Sequence, residues 1–144
     1  MAGWTQYFDG TGSAQALNGE LAVSLTGTGG ANYSAQVDYA ELKLEQGKTY
    51  KLTFQARSDI DRLIEVAVEH KGGDYTKYLP ARQVALTDEM SEYSYTFTMD
   101  GTTDALAHLV FLMGHIAGNS AETNQAIKAG NQIIVDNVTI VELP

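Results

Sequence analysis

Hydrophobic and polar side chains alternate along much of this chain, which is the two-residue period of a strand with one buried face. Residues 49–56 read Thr-Tyr-Lys-Leu-Thr-Phe-Gln-Ala, and residues 63–70 and 92–99 alternate in the same way. Burying one large side chain contributes ~1.5–3 kcal/mol, so each segment predicts a strand with an inner face. The predicted inner residues are Tyr50, Leu52, Phe54, Ala56, Ile64, Val66, Val68, Tyr93, Tyr95 and Phe97.

Glycine and polar residues separate these segments, as expected for turns between short strands. The predicted strands are residues 4–8, 20–25, 35–39, 49–56, 63–70, 83–86, 92–99, 105–113 and 132–142. Nine strands require two sheets. The predicted fold class is therefore all-β, a sandwich of two antiparallel sheets.

Residues 105–113 differ from the other strands because both faces are apolar. Leu109, Phe111 and Met113 form the better core set, which leaves His108, Val110 and Leu112 on the outer face. A strand that is apolar on both faces is typical of the centre of a sheet that is covered on both sides. A ligand could cover the outer face of this strand.

Residues 114–130 break the alternation. Asn119, Ser120, Glu122 and Gly130 stand where a helix cap, a first turn and a helix stop would stand. The segment favours a loop, with a short surface helix as the alternative.

Length and charge limit the possible partners. The chain has 144 residues, no cysteine and a formal net charge of -9. This length predicts one domain over residues 1–144 with a core that needs no disulfide. The acidic excess would repel a phosphate backbone, so no nucleic-acid partner is expected. The longest apolar run, residues 109–113, is too short to cross a bilayer, so no membrane partner is expected either.

The sequence offers little catalytic chemistry. Its histidines are His70, His108 and His115, and no G-x-S-x-G motif or zinc-binding H-E-x-x-H motif is present. Glu65 and Glu69 share one strand face but would lie roughly 13 Å apart. That separation exceeds the ~5–9.5 Å used in glycoside hydrolysis. The chain is therefore predicted not to be an enzyme.

The aromatic and amide side chains suit sugars better. The chain has 8 tyrosines, 4 phenylalanines and 1 tryptophan. Sugar rings have apolar C–H faces that pack on aromatic rings and hydroxyl groups that need polar partners. Tyrosine is also a favoured strand residue, so composition alone does not identify a sugar site.

Four segments in order resemble a known group of proteins. They are Gly-Trp-Thr-Gln-Tyr at 3–7, the segment 44–57, Tyr-Ser-Tyr-Thr-Phe-Thr-Met at 93–99, and Ile-Val-Asp-Asn-Val-Thr-Ile at 134–140. In this order and spacing they resemble the carbohydrate-binding modules of families 4, 9, 16 and 22, over nearly the whole chain. The resemblance implies a β-jelly-roll whose concave sheet forms a cleft for one glycan chain, usually a β-glucan, xylan or mannan.

The resemblance also implies which residues bind the ligand. In family 4 an aromatic residue follows the first tryptophan by three positions, which is Tyr7 here, while Trp4 falls on the core side. Further aromatic positions match Tyr33, before the third strand of the family, and Tyr75, after residues 63–70. The implied ligand-binding set is Tyr7, Tyr33, Gln36, Glu65, Glu69, Tyr75, Tyr78 and His108.

The family pattern raises the question of calcium. Its members usually begin with a strand of the type N-x-x-x-N-G-x-F-E, whereas this sequence starts at the Gly-Trp pair. That strand commonly shares a structural calcium site with the aspartate of the last strand, here Asp136. No cofactor is expected to be required, and structural calcium at Asp136 remains one expectation.

The expected function is noncovalent binding of a polysaccharide with micromolar-class affinity, about -8 kcal/mol or weaker. The resemblance implies an extracellular module attached to a catalytic domain of a bacterial glycoside hydrolase. Two alternatives stay open. One is a β-jelly-roll lyase or hydrolase, and the other is a structural or adhesive module whose cleft is filled by its own loops.

Overall fold

A computed structural model describes residues 3–144, which form ten strands, one α-helix and one 3-10 turn. The strands are β1 (Trp4–Phe8), β2 (Gly12–Leu17), β3 (Glu20–Leu25), β4 (Ala35–Leu44), β5 (Thr49–Ser58), β6 (Arg62–His70), β7 (Lys77–Leu86), β8 (Ser91–Thr98), β9 (Asp104–Leu112) and β10 (Asn131–Glu142). The 3-10 turn covers Asn32–Ser34 and helix α1 covers Ala121–Ala129. Within the described residues no helix is long and apolar enough to cross a membrane.

The strands form two five-stranded sheets. The first has the order β1-β4-β9-β6-β7 and the second the order β2-β3-β10-β5-β8. All paired neighbours are antiparallel. The predicted two-sheet, all-β class is confirmed. All nine predicted strands are present, β4 and β7 run further than expected, and β2 is an additional strand.

The inner faces of both sheets meet in one hydrophobic core. The predicted inner residues of β5 and β6 are all buried, including Leu52, Phe54, Ile64 and Val66. Phe54 of the second sheet meets Phe111 of the first edge to face, with ring centroids 5.1 Å apart. Tyr93 and Tyr95 are only partly buried and stack against the same Phe54 ring. The alternation in the sequence therefore identified the core correctly.

Strand β9 is the central strand of the first sheet, as its two apolar faces predicted. Leu109 and Phe111 point into the core. On the opposite face Val110 and Leu112 form a second, smaller buried cluster with Ala67 of β6. The outer face of the first sheet thus contains a small apolar cluster that is itself buried.

Helix α1 occupies the segment for which a loop was favoured, so the helical alternative is the one that forms. The Ser120 side chain accepts a hydrogen bond from the Thr123 N–H at 3.1 Å, which caps the first turn. Gly130 ends the helix with φ 130°. Ile127 is fully buried in the main core. Burial of this one apolar side chain gives the short polar helix a fixed place.

Candidate functional site

The outer face of the first sheet carries a cavity of about 600 Å³. Its wall contains aromatic, amide and charged side chains from β1, β4, β6, β7, β9 and two loops. The lining residues are Thr5, Gln6, Tyr7, Asn32, Tyr33, Gln36, Asp38, Glu69, Lys71, Tyr75, Lys77, His108 and Leu112. Polar groups from distant parts of the sequence converge here, as is typical of a ligand site.

Residues that pair across neighbouring strands form rows of side chains on the outer face of the first sheet. One row contains Tyr7, Gln36, Leu112 and Glu65, and another contains Ala40, His108, Glu69 and Lys77. The row between them contains Thr5, Asp38, Val110 and Ala67. Because side chains two residues apart share a sheet face, these rows form one continuous surface. Val110 and Ala67 of the middle row are almost fully buried, so the apolar residue of the cavity wall is Leu112 of the neighbouring row, beside the polar Asp38.

Three exposed tyrosines surround the middle row. Tyr7, Tyr33 and Tyr75 are 50%, 58% and 45% exposed, which is high for aromatic residues. Tyr33 lies in the 3-10 turn next to the row of Gln36, and Tyr75 lies in the β6–β7 loop next to the row of Glu69. Tyr33 and Tyr75 therefore stand on opposite sides of the middle row.

The turn that carries Tyr33 is held by backbone hydrogen bonds. The Gly114 N–H donates to the Asn32 oxygen at 3.0 Å and the His115 N–H to the Ala31 oxygen at 2.9 Å. From the other side, the Thr11 hydroxyl donates to the Ser34 oxygen at 2.8 Å. These bonds fix the turn although its aromatic side chain is exposed.

Tyr75 has a left-handed backbone conformation, with φ 50°. This conformation is uncommon for a residue with a side chain. Its N–H donates to the Gly72 oxygen at 3.0 Å, and the Asp74 carboxylate accepts hydrogen bonds from the N–H and hydroxyl of Thr76. The Tyr75 ring centroid lies 6.3 Å from that of His108. Local hydrogen bonds thus place the ring over the polar part of the cavity.

His108 lies between two carboxylates in the cavity wall. Its Nδ1 atom is 3.0 Å from Asp38 Oδ2 and its Nε2 atom is 2.9 Å from Glu69 Oε1. All three side chains are buried. Burial disfavours the charged ring, but the hydrogen bonds to Asp38 and Glu69 outweigh it and raise the pKa of His108.

Two lysines complete this network. Lys71 Nζ donates to Asp38 Oδ2 at 2.9 Å, and Lys77 Nζ contacts Glu69 Oε2. The Thr5 hydroxyl donates to Asp38 Oδ1 at 2.6 Å. Burial acts to raise the pKa of Asp38, but the hydrogen bonds from His108, Thr5 and Lys71 lower it to about 2. The carboxylates are therefore charged, paired and held in fixed positions.

The low pKa of Asp38 predicts part of the acid sensitivity of the fold. A group whose folded pKa is about 2, against an ordinary 3.8, stabilises the protein above pH 3.8. That contribution is lost as the pH falls towards 2. We expect Asp38→Asn to lower the free energy of unfolding at pH 6, and the difference from the parent protein to shrink towards pH 2.5. Urea unfolding at several pH values measures this. Asp88→Asn, at an exposed turn, is the control, and a pH-independent effect of Asp38→Asn would contradict the assignment.

Six of the eight predicted ligand residues line this cavity: Tyr7, Tyr33, Gln36, Glu69, Tyr75 and His108. Glu65 is on the same face, where it accepts a hydrogen bond from Asn32 Nδ2 at 2.8 Å, but it is not part of the cavity wall. Sequence reasoning missed Asn32, Asp38, Lys71 and Lys77. In the sequence, the only signal for Asp38 is its position two residues after Gln36, on the same strand face. The only signal for Lys71 and Lys77 is that they stand on either side of Tyr75 in its loop.

Tyr78 lies away from the cavity. Its hydroxyl donates to Asp104 Oδ2 at 2.6 Å, and His70 Nδ1 lies 2.8 Å from the same oxygen. Burial and the hydrogen bond to Asp104 raise the pKa of Tyr78 to about 12. The three side chains join β6, β7 and β9 at the base of the Tyr75 loop. The contacts of Tyr78 thus hold the loop rather than reach the cavity.

Asp136 lies at the edge of a different cavity. This cavity, about 440 Å³, opens between the two sheets and is lined mainly by apolar residues, among them Trp4, Tyr39, Leu109 and Val135. Trp4 stacks on Phe111 of the core, with ring centroids 6.1 Å apart, as expected for its core side. Residues 3–144 contain no group of three or more His, Cys, Asp or Glu side chains suited to a metal ion. Calcium at Asp136 therefore stays a prediction without a ligand set.

The comparisons with known proteins agree with a sugar-binding module. A family model described as a carbohydrate binding domain, for families 4 and 9, matches residues 1–123. Endoglucanase C of Cellulomonas fimi is 29% identical over 115 residues, which are 77% of this chain and 10% of that protein. The chain thus spans about a tenth of the length of this curated relative.

Solved structures give the same fold. A structure described as CBM4 matches with TM-score 0.78 and 24% identity, covering 98% of this chain and 95% of the other. The N-terminal cellulose-binding domain of Cellulomonas fimi β-1,4-glucanase C matches with TM-score 0.73 and 23% identity, covering 99% and 90%. A family 16 carbohydrate-binding module matches with TM-score 0.59 and 18% identity, covering 98% and 92%. These similarities confirm the β-jelly-roll sandwich.

The family model covers most of the sequence, and the fold agrees with it. Modules of this family bind carbohydrate and are non-catalytic, so the lyase or hydrolase alternative falls away. The chain belongs to the carbohydrate-binding modules of the family 4 and 9 group.

Proposed function

We propose that the cavity on the first sheet binds one polysaccharide chain over the middle row, with Tyr33 and Tyr75 packing against the sugar rings from opposite sides. The observation that carries this proposal is the pair of exposed tyrosines in the wall of one cavity, which Leu112 and several polar side chains also line. Sugar C–H faces pack on the aromatic rings and on Leu112 of the cavity wall. Hydroxyl groups meet the amides of Asn32 and Gln36 and the free lone pairs of the carboxylates.

A neutral glycan suits the charges of this wall. Among the described wall residues, Lys71 and Lys77 are each paired with a carboxylate and His108 lies between both carboxylates, so most of the charge is balanced within the wall. Four strand spacings separate β1 from β7, about 19 Å in all, which gives room for several sugar rings in a row. This favours an internal stretch of a polymer over a single sugar.

β-Glucan is the first candidate among β-glucan, xylan and mannan. The relative is named as an endoglucanase, and one solved neighbour is named as a cellulose-binding domain. By the same reasoning, we propose that the module is extracellular and targets an attached glycoside hydrolase to its substrate. The short span relative to endoglucanase C agrees with a part of a longer enzyme.

Affinity electrophoresis in gels that contain hydroxyethylcellulose, laminarin, xylan, glucomannan or mannan tests this function. We expect at least one polymer to retard the protein. Tyr33→Ala and Tyr75→Ala should each weaken binding by about 2 kcal/mol, roughly thirtyfold, because each removes a packing face in the centre of the site.

Tyr39→Ala is the matched control. Tyr39 is also exposed and belongs to the same sheet, but its ring packs edge to face on Trp4, beside the cavity between the sheets. Its loss should leave retardation unchanged. A folded parent protein that no polymer retards would contradict the function. Equal retardation of all three variants would contradict only the choice of site.

A further inference from the structure

Both ring nitrogens of His108 are occupied by carboxylates. Nδ1 lies 3.0 Å from Asp38 and Nε2 lies 2.9 Å from Glu69. An ionised carboxylate can only accept hydrogen bonds, so both nitrogens must donate and the ring must carry both protons. The residue is 3% exposed and has no polar atom left for a sugar hydroxyl. A direct contact of the imidazole nitrogens with ligand is therefore excluded.

The charged groups around His108 come from every neighbouring element. Strand β4 supplies Asp38, β6 supplies Glu69, and β7 supplies Lys77 on the far side of Glu69. The β6–β7 loop supplies Lys71, bound to Asp38, and the Tyr75 ring. Two negative and three positive charges result when the ring is protonated. Among residues 3–144, the His108 ring is the only group that touches both carboxylates.

We propose that protonated His108 is a positioning residue of the glycan site, which holds Asp38 and Glu69 at the spacing that sugar hydroxyls require and so links glycan binding to one proton. This inference rests on the function proposed above and adds to it a residue role and a pH dependence.

The consequence of losing the proton follows from the geometry. Neutral imidazole has one N–H, so it can serve only one of the two carboxylates. The lone pair of the other nitrogen would then face a carboxylate oxygen at about hydrogen-bond distance, which is repulsive. Either Asp38 or Glu69 must move, and its oxygens move with it. The middle row then loses the arrangement that the proposed ligand uses.

The pKa shifts of His108, Asp38 and Glu69 set the direction of the pH dependence. The hydrogen bonds to Asp38 and Glu69 raise the pKa of His108 above its ordinary 6.5, so the ring keeps its charge to a higher pH than a free imidazole. Its stabilising effect is present below pH 6.5 and is lost as the pH rises through the raised pKa. The pKa values of Asp38 and Glu69 are lowered, so both carboxylates stay ionised in mild acid. Binding should therefore stay constant in mild acid and weaken as the pH rises through the raised pKa of His108.

Titration calorimetry from pH 5 to pH 9.5, with the polymer that retards the protein in gels, tests this inference. We expect the association constant to fall about fivefold or more between pH 6 and pH 9.5. His108→Gln should bind more weakly at pH 6 and show no such fall, because glutamine does not titrate. His115→Gln is the control and should follow the parent protein, because the exposed His115 side chain lies outside the cavity wall and the substitution keeps the backbone N–H that holds the Tyr33 turn.

Nuclear magnetic resonance of the parent protein provides a second test that does not depend on folding of a variant. The ¹⁵N shifts of His108 should show both nitrogens protonated at pH 7. By linkage, bound glycan should raise its pKa further, which a purely structural histidine would not show.

The outcomes separate the two proposals. If no polymer binds at any pH, the function and this inference fall together. If the polymer binds equally at pH 6 and pH 9.5, only this inference is overturned. A parallel fall in His108→Gln, or a neutral His108 ring at pH 7, would also overturn it.

Discussion

Replacing Arg62 with methionine is expected to lower the free energy of unfolding by about 2–4 kcal/mol, because it leaves buried acceptors without donors. Arg62 is 4% exposed. Its guanidinium donates to Asn131 Oδ1 at 3.0 Å, to the Met113 oxygen at 2.8 Å and to the Leu63 oxygen at 3.2 Å. These acceptors belong to both sheets and to the segment after β9, so one side chain holds three parts of the fold.

The buried charge is itself costly. Burial lowers the pKa of Arg62 to about 10, and none of its direct acceptors is a carboxylate. Asp59 acts only indirectly, by accepting from Asn131 Nδ2 at 2.7 Å. Methionine removes the cost of burying the charge, which keeps the expected loss within a few kcal/mol.

Urea unfolding of Arg62→Met and Arg62→Lys measures the effect. Lysine keeps the charge but not the planar set of donors, so it should also destabilise the protein. Arg82→Met, at an exposed position in β7, is the control and should unfold like the parent protein. Unchanged stability of Arg62→Met would show that the buried hydrogen bonds only balance the cost of burying the charge.

The core was predictable because it depends on local alternation. Residues such as Leu52 and Phe54 need only a strand with one buried face, which the sequence shows directly. β2 was missed because Gly-Ser-Ala-Gln-Ala-Leu lacks large inward residues and lies at the edge of its sheet. A signal for it was present. Asn18-Gly19, with φ 53° and 80°, forms the two-residue turn that joins β2 to β3.

The site was only partly predictable, for a different reason. The tyrosines could be placed by resemblance. The partners of His108 could not, because Asp38 precedes it by 70 positions and Glu69 by 39. Its pairing depends on the order β4-β9-β6 and on register, neither of which alternation specifies. Tyr78 shows the converse error. It is close in sequence to Tyr75, yet its hydroxyl bonds to Asp104 at the base of the loop.

Gly114 connects the buried Arg62 side chain with the turn that carries Tyr33. Its carbonyl lies 3.4 Å from Arg62 Nη2, and its N–H donates to the Asn32 oxygen in the turn that carries Tyr33. A Cβ atom at Gly114 would lie 2.3 Å from the Ala31 oxygen, 2.7 Å from the Asn32 oxygen and 2.9 Å from the Thr28 oxygen. All three are backbone atoms, so no side-chain rotation relieves the contact. Any side chain at residue 114 must displace the turn.

We therefore expect Gly114→Ala to lower the free energy of unfolding by about 1–3 kcal/mol and also to weaken glycan binding about tenfold, because the displaced turn carries Tyr33 and Asn32 with it. Thermal unfolding and gel retardation of the same sample measure the two effects, at a temperature where the variant is fully folded. Gly30→Ala is the matched control, since it lies in the loop just before the Tyr33 turn and its Cβ would have no atom within 4 Å. A destabilised Gly114→Ala that still binds like the parent protein would show that the Tyr33 turn is not part of the glycan site. Loss of binding without loss of the fold would tie the packing at the end of β9 to recognition of the sugar.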